Sequence, residues 1–212
     1  MTDWKAKLAG KFIVVDGPDG AGKSTQIGLL ADYLRLADVD VRQARDPGGT
    51  VIGDKIRAIL LDRAHDKMDV RCELMLYMAS RAQLAAQVIR PALAAGQCVL
   101  CDRYVSSTIA YQGAGGADAA AIRAVADAAV GELRPDLTII IDLPAENGLG
   151  RLSGARDHDR MESKDVEFHR RVRQSFLQQA AEDQRRFVVV DGMGGVEQVQ
   201  QRLRQAMENW CD

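Results

Sequence analysis

Short apolar runs alternate along the chain with segments whose apolar residues recur every three or four positions. Continuous apolar runs are typical of strands covered on both faces of a sheet, and they predict strands at 11–16, 41–45, 97–102, 137–142 and 187–191. Helical spacing predicts helices near 23–37, 51–61, 69–95, 104–112, 117–131, 145–152, 163–184 and 195–209. The alternation favours one α/β domain over residues 1–212, a three-layer sandwich with a mostly parallel five-stranded sheet flanked by helices.

Three of the predicted strands end in an aspartate, namely Asp16, Asp102 and Asp142. In open parallel sheets, ligands bind beyond the carboxyl ends of the strands. The sequence therefore predicts a ligand site at the edge of the sheet where these strand ends meet.

The first predicted strand leads into a glycine-rich segment, residues 17–25, which reads G-P-D-G-A-G-K-S-T. It fits the phosphate-binding pattern G-x-x-x-x-G-K-[ST] and lies between a predicted strand and a predicted helix, as that pattern requires. Lys23 would reach the β- and γ-phosphates of a nucleotide, and Ser24 would ligate Mg²⁺. The backbone around the bound phosphates would come from Gly17, Gly20, Ala21, Gly22, Lys23, Ser24 and Thr25. This segment indicates a P-loop NTPase-type fold rather than an ordinary glycine-rich turn.

Two further strand ends carry neighbouring charges. Asp102 and Arg103 follow the third strand, where a carboxylate can hold Mg²⁺ and a guanidinium can clamp a second phosphate. Arg45 and Asp46 follow the second strand on the same side of the sheet. The alternatives are a structural salt bridge at the first position and ordinary Pro-Gly turn chemistry at the second. The neighbouring P-loop favours phosphate binding.

Two predicted helices place polar and aromatic side chains four residues apart, and therefore on one face. Tyr77 and Arg81 could stack on a base and bind its edge, although such a pair is also typical of a core residue beside a surface residue. Thr108 and Gln112, with Tyr111 beside them, could contact a base and a sugar. The same segment also fits the plain C-terminal end of a helix.

Residues 151–162 are polar, dense in both charges, and lie between two predicted helices. A solvated loop has this composition, and so does a mobile lid that brings arginines over bound phosphates. Both interpretations stay open for this segment, and the lid, if present, would extend over about 151–163.

Composition narrows the classes of partner. The chain of 212 residues is 47% hydrophobic and 27% charged, with a net charge of −2, so no basic field favours nucleic acid or anionic lipid. No apolar run approaches a membrane span, and the first residues show no secretory signal, so the cytoplasm is the expected compartment. Cys98 and Cys101 form a C-x-x-C, but on a strand this spacing points them to opposite faces, which favours buried thiols over a metal or redox pair.

The chain resembles the thymidylate kinase family over essentially its whole length. The resemblance rests on the P-loop and on six further segments in the family's order: Arg-Asp-Pro-Gly-Gly-Thr, Tyr-x-x-x-Arg-x-Gln, Asp-Arg-Tyr, Ala-Tyr-Gln-Gly, Arg-Pro-Asp-Leu and Asp-Arg-Met-Glu. Pro-Gly-Gly-Thr and Thr-x-x-Tyr-Gln-Gly are specific among nucleoside monophosphate kinases, whereas the P-loop is not. The resemblance implies phosphorylation of dTMP by ATP with Mg²⁺, on the route to dTTP, and commonly a homodimer.

The resemblance also implies roles at matching positions. Asp19 would face the sugar and phosphate of the acceptor, and Ser24 with Asp102 would hold Mg²⁺. Arg156 and Arg160 would belong to the lid and act on the transferred group together with Lys23. The residues implied to bind dTMP are Arg45, Asp46, Pro47, Arg57, Tyr77, Arg81, Arg103, Thr108, Tyr111 and Gln112.

The members of that set divide by the part of dTMP that they would contact. Arg45 and Arg103 would hold the phosphate, and Arg57 would line the thymine pocket. Tyr77 would stack on the base while Arg81 binds its edge. From the other side, the base would be contacted by Thr108 and Gln112, and the 2′ position of the sugar would be crowded by Tyr111.

The chain departs from the family pattern at four positions. Asp46 stands where glutamate usually precedes Pro-Gly-Gly, and Tyr77 stands where phenylalanine usually stacks on the base. Gly20 occupies a P-loop position where some members carry arginine, so that charge would come from the lid. The lid arginine is displaced by one residue, which leaves open whether Arg156 or Arg160 reaches the γ-phosphate.

Two alternatives to a dTMP kinase remain at this point. Another nucleoside monophosphate or deoxynucleoside kinase would share the P-loop chemistry, since the thymine preference comes only from the resemblance. A P-loop switch protein is the alternative outside small-molecule enzymes. A GTPase would need Asn-Lys-x-Asp, but neither Asn147 nor Asn209 is followed by lysine.

Overall fold

The computed structural model describes residues 4–152 and 159–211 of the chain. Its sheet consists of Phe12–Asp16 (β1), Val41–Arg45 (β2), Cys98–Asp102 (β3), Leu137–Asp142 (β4) and Phe187–Asp191 (β5). The strands lie in the order β2-β3-β1-β4-β5, and every neighbouring pair is parallel. The predicted sandwich with a five-stranded parallel sheet is confirmed, and β1, which leads into the P-loop, lies at its centre.

Helices cover both faces of this sheet. In the described ranges they are Lys23–Leu36 (α1), Val51–Leu61 (α2), Val70–Leu84 (α3), Arg90–Ala94 (α4), Val105–Ala114 (α5), Ala119–Val130 (α6), Ala145–Leu152 (α7), Val166–Glu182 (α8) and Val196–Cys211 (α9). The single helix predicted over 69–95 is instead α3 and α4 joined by a π-helical turn, Ala85–Ile89. Pro91, which has no N–H for the regular helical bond, is the second residue of α4. Among the described residues, no helix combines the length and apolar character needed to span a bilayer.

The core forms one layer on each face of the sheet. Along β1, Ile13 packs with residues of α1 and α9, whereas the adjacent Phe12 packs with residues of α3 and of the π-helical turn. Cys98 belongs to the first layer and Cys101 to the second, so the predicted opposite placement of the two thiols is confirmed. Burial raises the pKa of the Cys98 thiol to about 12, which fits a buried apolar side chain.

The turn after β1 requires glycine where α7 approaches it. Gly20 has a φ of +75°, and a Cβ at this position would overlap the carbonyl of Gly148 in α7. Gly148 packs equally closely against the carbonyl of Asp19. This mutual approach leaves no room for an arginine at the position of Gly20, and it brings the end of α7 beside the P-loop.

Candidate active site

A cleft of about 610 Å³ opens at the carboxyl edge of the sheet, a size typical of small-molecule sites. It brings together most of the residues singled out from the sequence. Those that line it are Asp19, Gly20, Ala21, Gly22, Lys23, Ser24, Thr25, Arg45, Asp46, Arg57, Tyr77, Arg81, Asp102, Arg103, Thr108, Tyr111 and Gln112. Gly17, Pro47 and Arg160 are not among the lining residues. Arg156 lies outside the described residues.

Lys23 is held inside the P-loop before any phosphate arrives. Its Nζ donates to the carbonyls of Gly17 at 3.0 Å and of Pro18 at 2.7 Å, and the side chain is buried. Burial lowers the pKa of Lys23 to about 8, and the positive charge of Arg103 adds to this effect. The negative charge of a polyphosphate bound in the loop would stabilise this buried ammonium group.

Asp16, the last residue of β1, organises the entrance to the P-loop. One of its carboxylate oxygens accepts from the backbone N–H of Gly17 at 2.9 Å and from the Ser107 hydroxyl at 2.7 Å. The other oxygen accepts from the Ser106 hydroxyl at 2.7 Å. Asp16 therefore fixes the P-loop against the first turn of α5, a structural role that its position at a strand end did not distinguish from ligand binding.

Arg103 lies between the P-loop and α5. Its backbone has a φ of +68°, which is uncommon for a residue other than glycine and aims the side chain across the cleft. Nη2 donates to Asp19 Oδ1 at 2.5 Å, and Nη1 donates to the Gly17 carbonyl at 3.2 Å and to the Ser107 hydroxyl at 3.0 Å. The guanidinium also lies 5.0 Å from the centre of the Tyr111 ring. These contacts hold one fixed positive charge in the middle of the cleft.

Asp19 is the acidic residue inside the P-loop. Burial alone would raise the pKa of its carboxyl, but the charges of Arg103 and Lys23 lower it below the ordinary value. Its Oδ2 is buried and has no hydrogen-bond partner in the described part of the chain, and His169 Nδ1 lies 3.9 Å from it. A hydrogen bond from Tyr111 also lowers this pKa, so an ionised carboxylate held by Arg103 and Tyr111 lines the cleft beside the P-loop.

Ser24 and Asp102, the two side chains predicted to hold a metal, lie in contact. The Ser24 hydroxyl donates to Asp102 Oδ2 at 3.0 Å, which confirms that the two side chains meet across the sheet edge. Asp102 Oδ1 is buried with no hydrogen-bond partner among the described residues, so an acceptor remains for a cation or its water. A hydroxyl and one carboxylate suit Mg²⁺ that keeps most of its ligands from water and phosphate.

Arg81 lies buried at the opposite end of the cleft. Its Nε forms an ion pair with Asp46, and Nη2 donates to the Tyr104 carbonyl at 3.0 Å and to Thr108 Oγ1 at 2.9 Å. Burial raises the pKa of the Asp46 carboxyl against the opposing effect of Arg81. The ion pair shows that an aspartate at position 46 reaches Arg81, although it is one methylene shorter than glutamate. Nη1 donates to the Met78 sulfur, and its second N–H carries no bond to the described residues.

Arg45 and Arg57 add positive charge between these two ends. Arg45 is exposed and lies 3.5 Å from Asp54 of α2. Arg57 donates to the Pro47 carbonyl at 3.0 Å. Burial lowers the pKa of Arg57, and the nearby charge of Arg45 lowers it further. Guanidinium groups that repel one another around an open cleft are stabilised by a bound anion.

The two ends of the charged segment, residues 151–162, lie in different surroundings. Arg151, at the end of α7, donates to the carbonyls of Gly20 at 3.4 Å and of Gly192 at 3.3 Å, and it lines the cleft. Arg160 is buried and forms an ion pair with Glu73 of α3. In this structure Arg160 therefore contacts α3 rather than the P-loop, whereas Arg151 lies beside the P-loop.

Three residues of this region were not singled out from the sequence: Glu73, Arg151 and His169. Glu73 lies one helical turn before Tyr77, so the spacing that paired Tyr77 with Arg81 could have identified it. Arg151 belongs to the charged segment but precedes its Asp-Arg motif. His169 carries no local signal, because its proximity to Asp19 depends on how α8 packs against the P-loop.

Comparison with known proteins gives one consistent result. The family model described as thymidylate kinase matches residues 15–203. A thymidylate kinase from Pseudomonas fluorescens (strain Pf-5) is 48% identical over 197 residues, covering 92% of this chain and 94% of that protein. A thymidylate kinase from Alcanivorax borkumensis is 44% identical over 202 residues, covering 95% of this chain and 97% of that protein.

The fold is similar to that of a solved relative. The crystal structure of thymidylate kinase from Ehrlichia chaffeensis superimposes with a TM-score of 0.77 at 31% sequence identity. The match covers 93% of this chain and 98% of that one. The similarity therefore extends over the whole sheet and its helices rather than over the P-loop alone.

Proposed function

This chain belongs to the thymidylate kinase family, and we propose that its cleft transfers the γ-phosphoryl group of ATP to the phosphate of dTMP. It is a phosphotransferase of the bacterial type that forms dTDP from dTMP for dTTP synthesis. The relatives do not favour the alternative of another nucleoside monophosphate or deoxynucleoside kinase. The observation that carries the proposal is that one cleft joins a P-loop at one end to Arg81 and Gln112 at the other.

The P-loop end would bind ATP. Residues of the loop line the cleft, where their backbone N–H groups and the Lys23 ammonium would neutralise the β- and γ-phosphates. Ser24 and Asp102 would hold Mg²⁺, which when bound neutralises charge on the phosphate oxygens. Arg151 supports the same site from the end of α7, next to Gly20.

The centre of the cleft would bind the acceptor phosphate. Arg45 and Arg103, with Arg57 nearby, line the cleft with guanidinium groups that match phosphate oxygens in pairs. The acceptor is already anionic at neutral pH, so the reaction needs no strong base. The protein's contribution is to bring two polyanions together and to offset their repulsion.

The far end offers hydrogen bonds that match thymine. Arg81 Nη1 keeps one N–H donor, while the Gln112 amide gives its Nε2 to Glu73 and keeps its Oε1 as an acceptor. Thr108, which accepts from Arg81, lies one turn before Gln112 on α5. Thymine carries the complementary pair, an O4 acceptor beside an N3–H donor, whereas cytosine carries the reverse pattern. Tyr77 lines the same space and offers its ring for stacking.

We propose further that residues 151–163 act as the lid and that Arg151 or Arg156 contributes charge to the transferred group. The proposal is supported by the position of Arg151 against the Gly20 carbonyl. It assigns Arg160 to a supporting role, because that guanidinium is buried against Glu73. Lid closure would also exclude water, which otherwise competes as an acceptor.

A coupled assay with ATP, Mg²⁺ and a panel of nucleoside monophosphates tests the proposed function directly. Phosphorylation of dTMP should exceed that of dCMP, dGMP and UMP in kcat/KM by at least about 10²-fold. Omission of Mg²⁺ should abolish turnover. Comparable rates with a purine monophosphate, or nucleotide hydrolysis that is independent of dTMP, would contradict the assignment.

Tyr111 is expected to control selection against ribose. Its ring is packed against Phe168 and Phe176, so it forms a rigid wall of the cleft next to Arg103. Tyr111→Ala should raise kcat/KM for UMP relative to dUMP by about tenfold, because these substrates differ only in the 2′-hydroxyl. Tyr111→Phe keeps the wall and should retain the wild-type ratio. An unchanged ratio in Tyr111→Ala would remove this role from Tyr111.

ATP affinity is expected to weaken as the pH rises, because Lys23 loses its proton. The pKa of its ammonium in the free protein is about 8, and a bound polyphosphate raises that pKa. Binding therefore takes up a proton above pH 8, and affinity should weaken about tenfold between pH 7 and pH 9. Titration calorimetry in buffers of different ionisation enthalpy would measure both the affinity and the proton uptake. A constant affinity over this range, without proton uptake, would contradict the prediction.

We also propose a cytoplasmic homodimer as the working form, as the family resemblance implies. The support is an apolar surface on α2 and α3, where Val51 is 74%, Ile52 53% and Met75 55% exposed. Such a surface is typical of a protein interface. Light scattering should then give a mass near twice the 23.1 kDa of one chain, and a monomer at micromolar concentration would contradict the proposal.

A further inference from the structure

A buried chain of three polar side chains connects the base end of the cleft with the segment after residue 158. Gln112 of α5, Glu73 of α3 and Arg160 are 1%, 6% and 3% exposed. Gln112 Nε2 donates to Glu73 Oε1 at 2.6 Å, and Arg160 forms an ion pair with Oε2 of the same carboxylate. Arg160 is itself anchored at the end of α2, where Nε donates to the Leu60 carbonyl at 2.8 Å and its backbone N–H to the Leu61 carbonyl at 3.2 Å.

We propose that Glu73, held by Arg160, fixes the orientation of the Gln112 side-chain amide and thereby sets the preference for bases that carry an N3–H. Glu73 and Arg160 act here as positioning residues, because Gln112 alone of the three would touch the base. The inference rests on the proposed function, since it concerns how the same cleft distinguishes pyrimidines.

The orientation follows from the chemistry of the carboxylate. An ionised carboxylate only accepts hydrogen bonds, so Gln112 can face Glu73 with its NH₂ group but not with its carbonyl. Arg160 compensates the buried negative charge and occupies the second carboxylate oxygen. A reversed Gln112 would bring two oxygens together in a buried site and leave both without a donor, which such sites strongly disfavour.

An amide with a fixed orientation offers a base one defined hydrogen-bonding group, so it can distinguish between bases. With one N–H of Nε2 bound to Glu73, the amide turns its carbonyl away from that carboxylate, and Oε1 is the acceptor offered to a base next to the remaining N–H donor of Arg81. Thymine and uracil match this donor–acceptor pair. Cytosine would oppose donor to donor and acceptor to acceptor. A Gln112 side chain that was free to turn over would relieve half of that mismatch, so the strength of discrimination depends on Glu73.

Glu73→Gln tests the proposal by offering Gln112 a partner of either polarity. We expect the kcat/KM ratio of dTMP to dCMP to fall at least about tenfold. The kcat/KM ratio of dTMP to dUMP should stay within about twofold of its wild-type value, because uracil and thymine present the same N3–H and O4 and differ only in a methyl group. A general loosening of the pocket would instead change both ratios.

Variants at Arg160 provide the matched pair and keep the test decisive if Glu73→Gln folds poorly. Arg160→Lys retains a cation beside Glu73 and should keep the kcat/KM ratio of dTMP to dCMP within about threefold of its wild-type value. Arg160→Met removes the cation and should lower that ratio toward the value expected for Glu73→Gln. Proportional losses for all three substrates, with unchanged ratios, would show that the two residues only support the fold and would overturn the proposal. A wild-type enzyme without preference for dTMP over dCMP would instead refute the proposed function, so the two failures are distinguishable.

Discussion

Replacing Lys23 with methionine is expected to lower kcat by on the order of 10³-fold, through loss of the charge that faces the transferred phosphoryl group. The side chain is held by the carbonyls of Gly17 and Pro18, so its ammonium needs no rearrangement when negative charge develops beside it. No other residue of the segment 17–25 is basic, so no other side chain of the P-loop can replace the charge of Lys23. Steady-state kinetics at saturating ATP and dTMP measure the effect, and methionine keeps an unbranched side chain that lacks only the terminal ammonium in length.

The same variant separates chemistry from stability. Burial lowers the pKa of Lys23 to about 8, well below that of an exposed lysine, so at pH 7 the charged ammonium opposes folding of the unliganded protein. Lys23→Met should therefore unfold at a temperature no lower than that of the wild type, even though it is inactive. Lys55→Ala is the matched control, because it removes one exposed lysine from α2 and should leave kcat unchanged. A well-folded Lys23→Met enzyme with most of its kcat would disprove the role of the ammonium.

The fold could be predicted because its central strands are buried on both faces. β1 and β4 are apolar over almost their whole length, a pattern that surface strands do not show, and the sheet prediction followed from it. The least accurate element was the helix predicted over 69–95. Its periodicity continues through the π-helical turn at Ala85–Ile89, so the pattern of apolar residues alone does not reveal the change in hydrogen bonding.

Site residues that share a short segment were accessible to sequence reasoning, and those brought together by distant contacts were not. Lys23 and Ser24 follow from one contiguous motif, and Asp102 follows from its place at a strand end beside that motif. The environment of Arg160 depends on Glu73, which lies far away in the chain, so its surroundings could not be read from the charged segment that contains it. Arg156 is among residues 153–158, which lie outside the described part of the chain, so its contact with the transferred phosphoryl group stays a prediction.

Replacing Arg103 with alanine should lower kcat/KM for dTMP by on the order of 10²-fold or more, with the larger part of the change in KM. Its guanidinium is fixed by Asp19, by the Gly17 carbonyl and by Ser107 before substrate binds, so the acceptor phosphate meets a site that is already ordered. Arg103→Lys keeps the charge but loses the planar pair of donors, so an intermediate loss is expected. The KM for ATP should change less than that for dTMP, because Lys23 and the loop amides hold the donor.

A matched arginine makes this result interpretable. Arg134 also forms an ion pair with an aspartate, Asp127, but lies outside the active-site cleft, so Arg134→Ala should keep both KM values. Thermal unfolding must accompany the kinetics, because Arg103→Ala removes the arginine that pairs with Asp16 and Asp19 and keeps a φ of +68° at that position. Loss of folded protein would affect both substrates in proportion. A folded Arg103→Ala enzyme with wild-type kcat/KM for dTMP would remove Arg103 from the phosphate site and leave Arg45 and Arg57 to hold the acceptor.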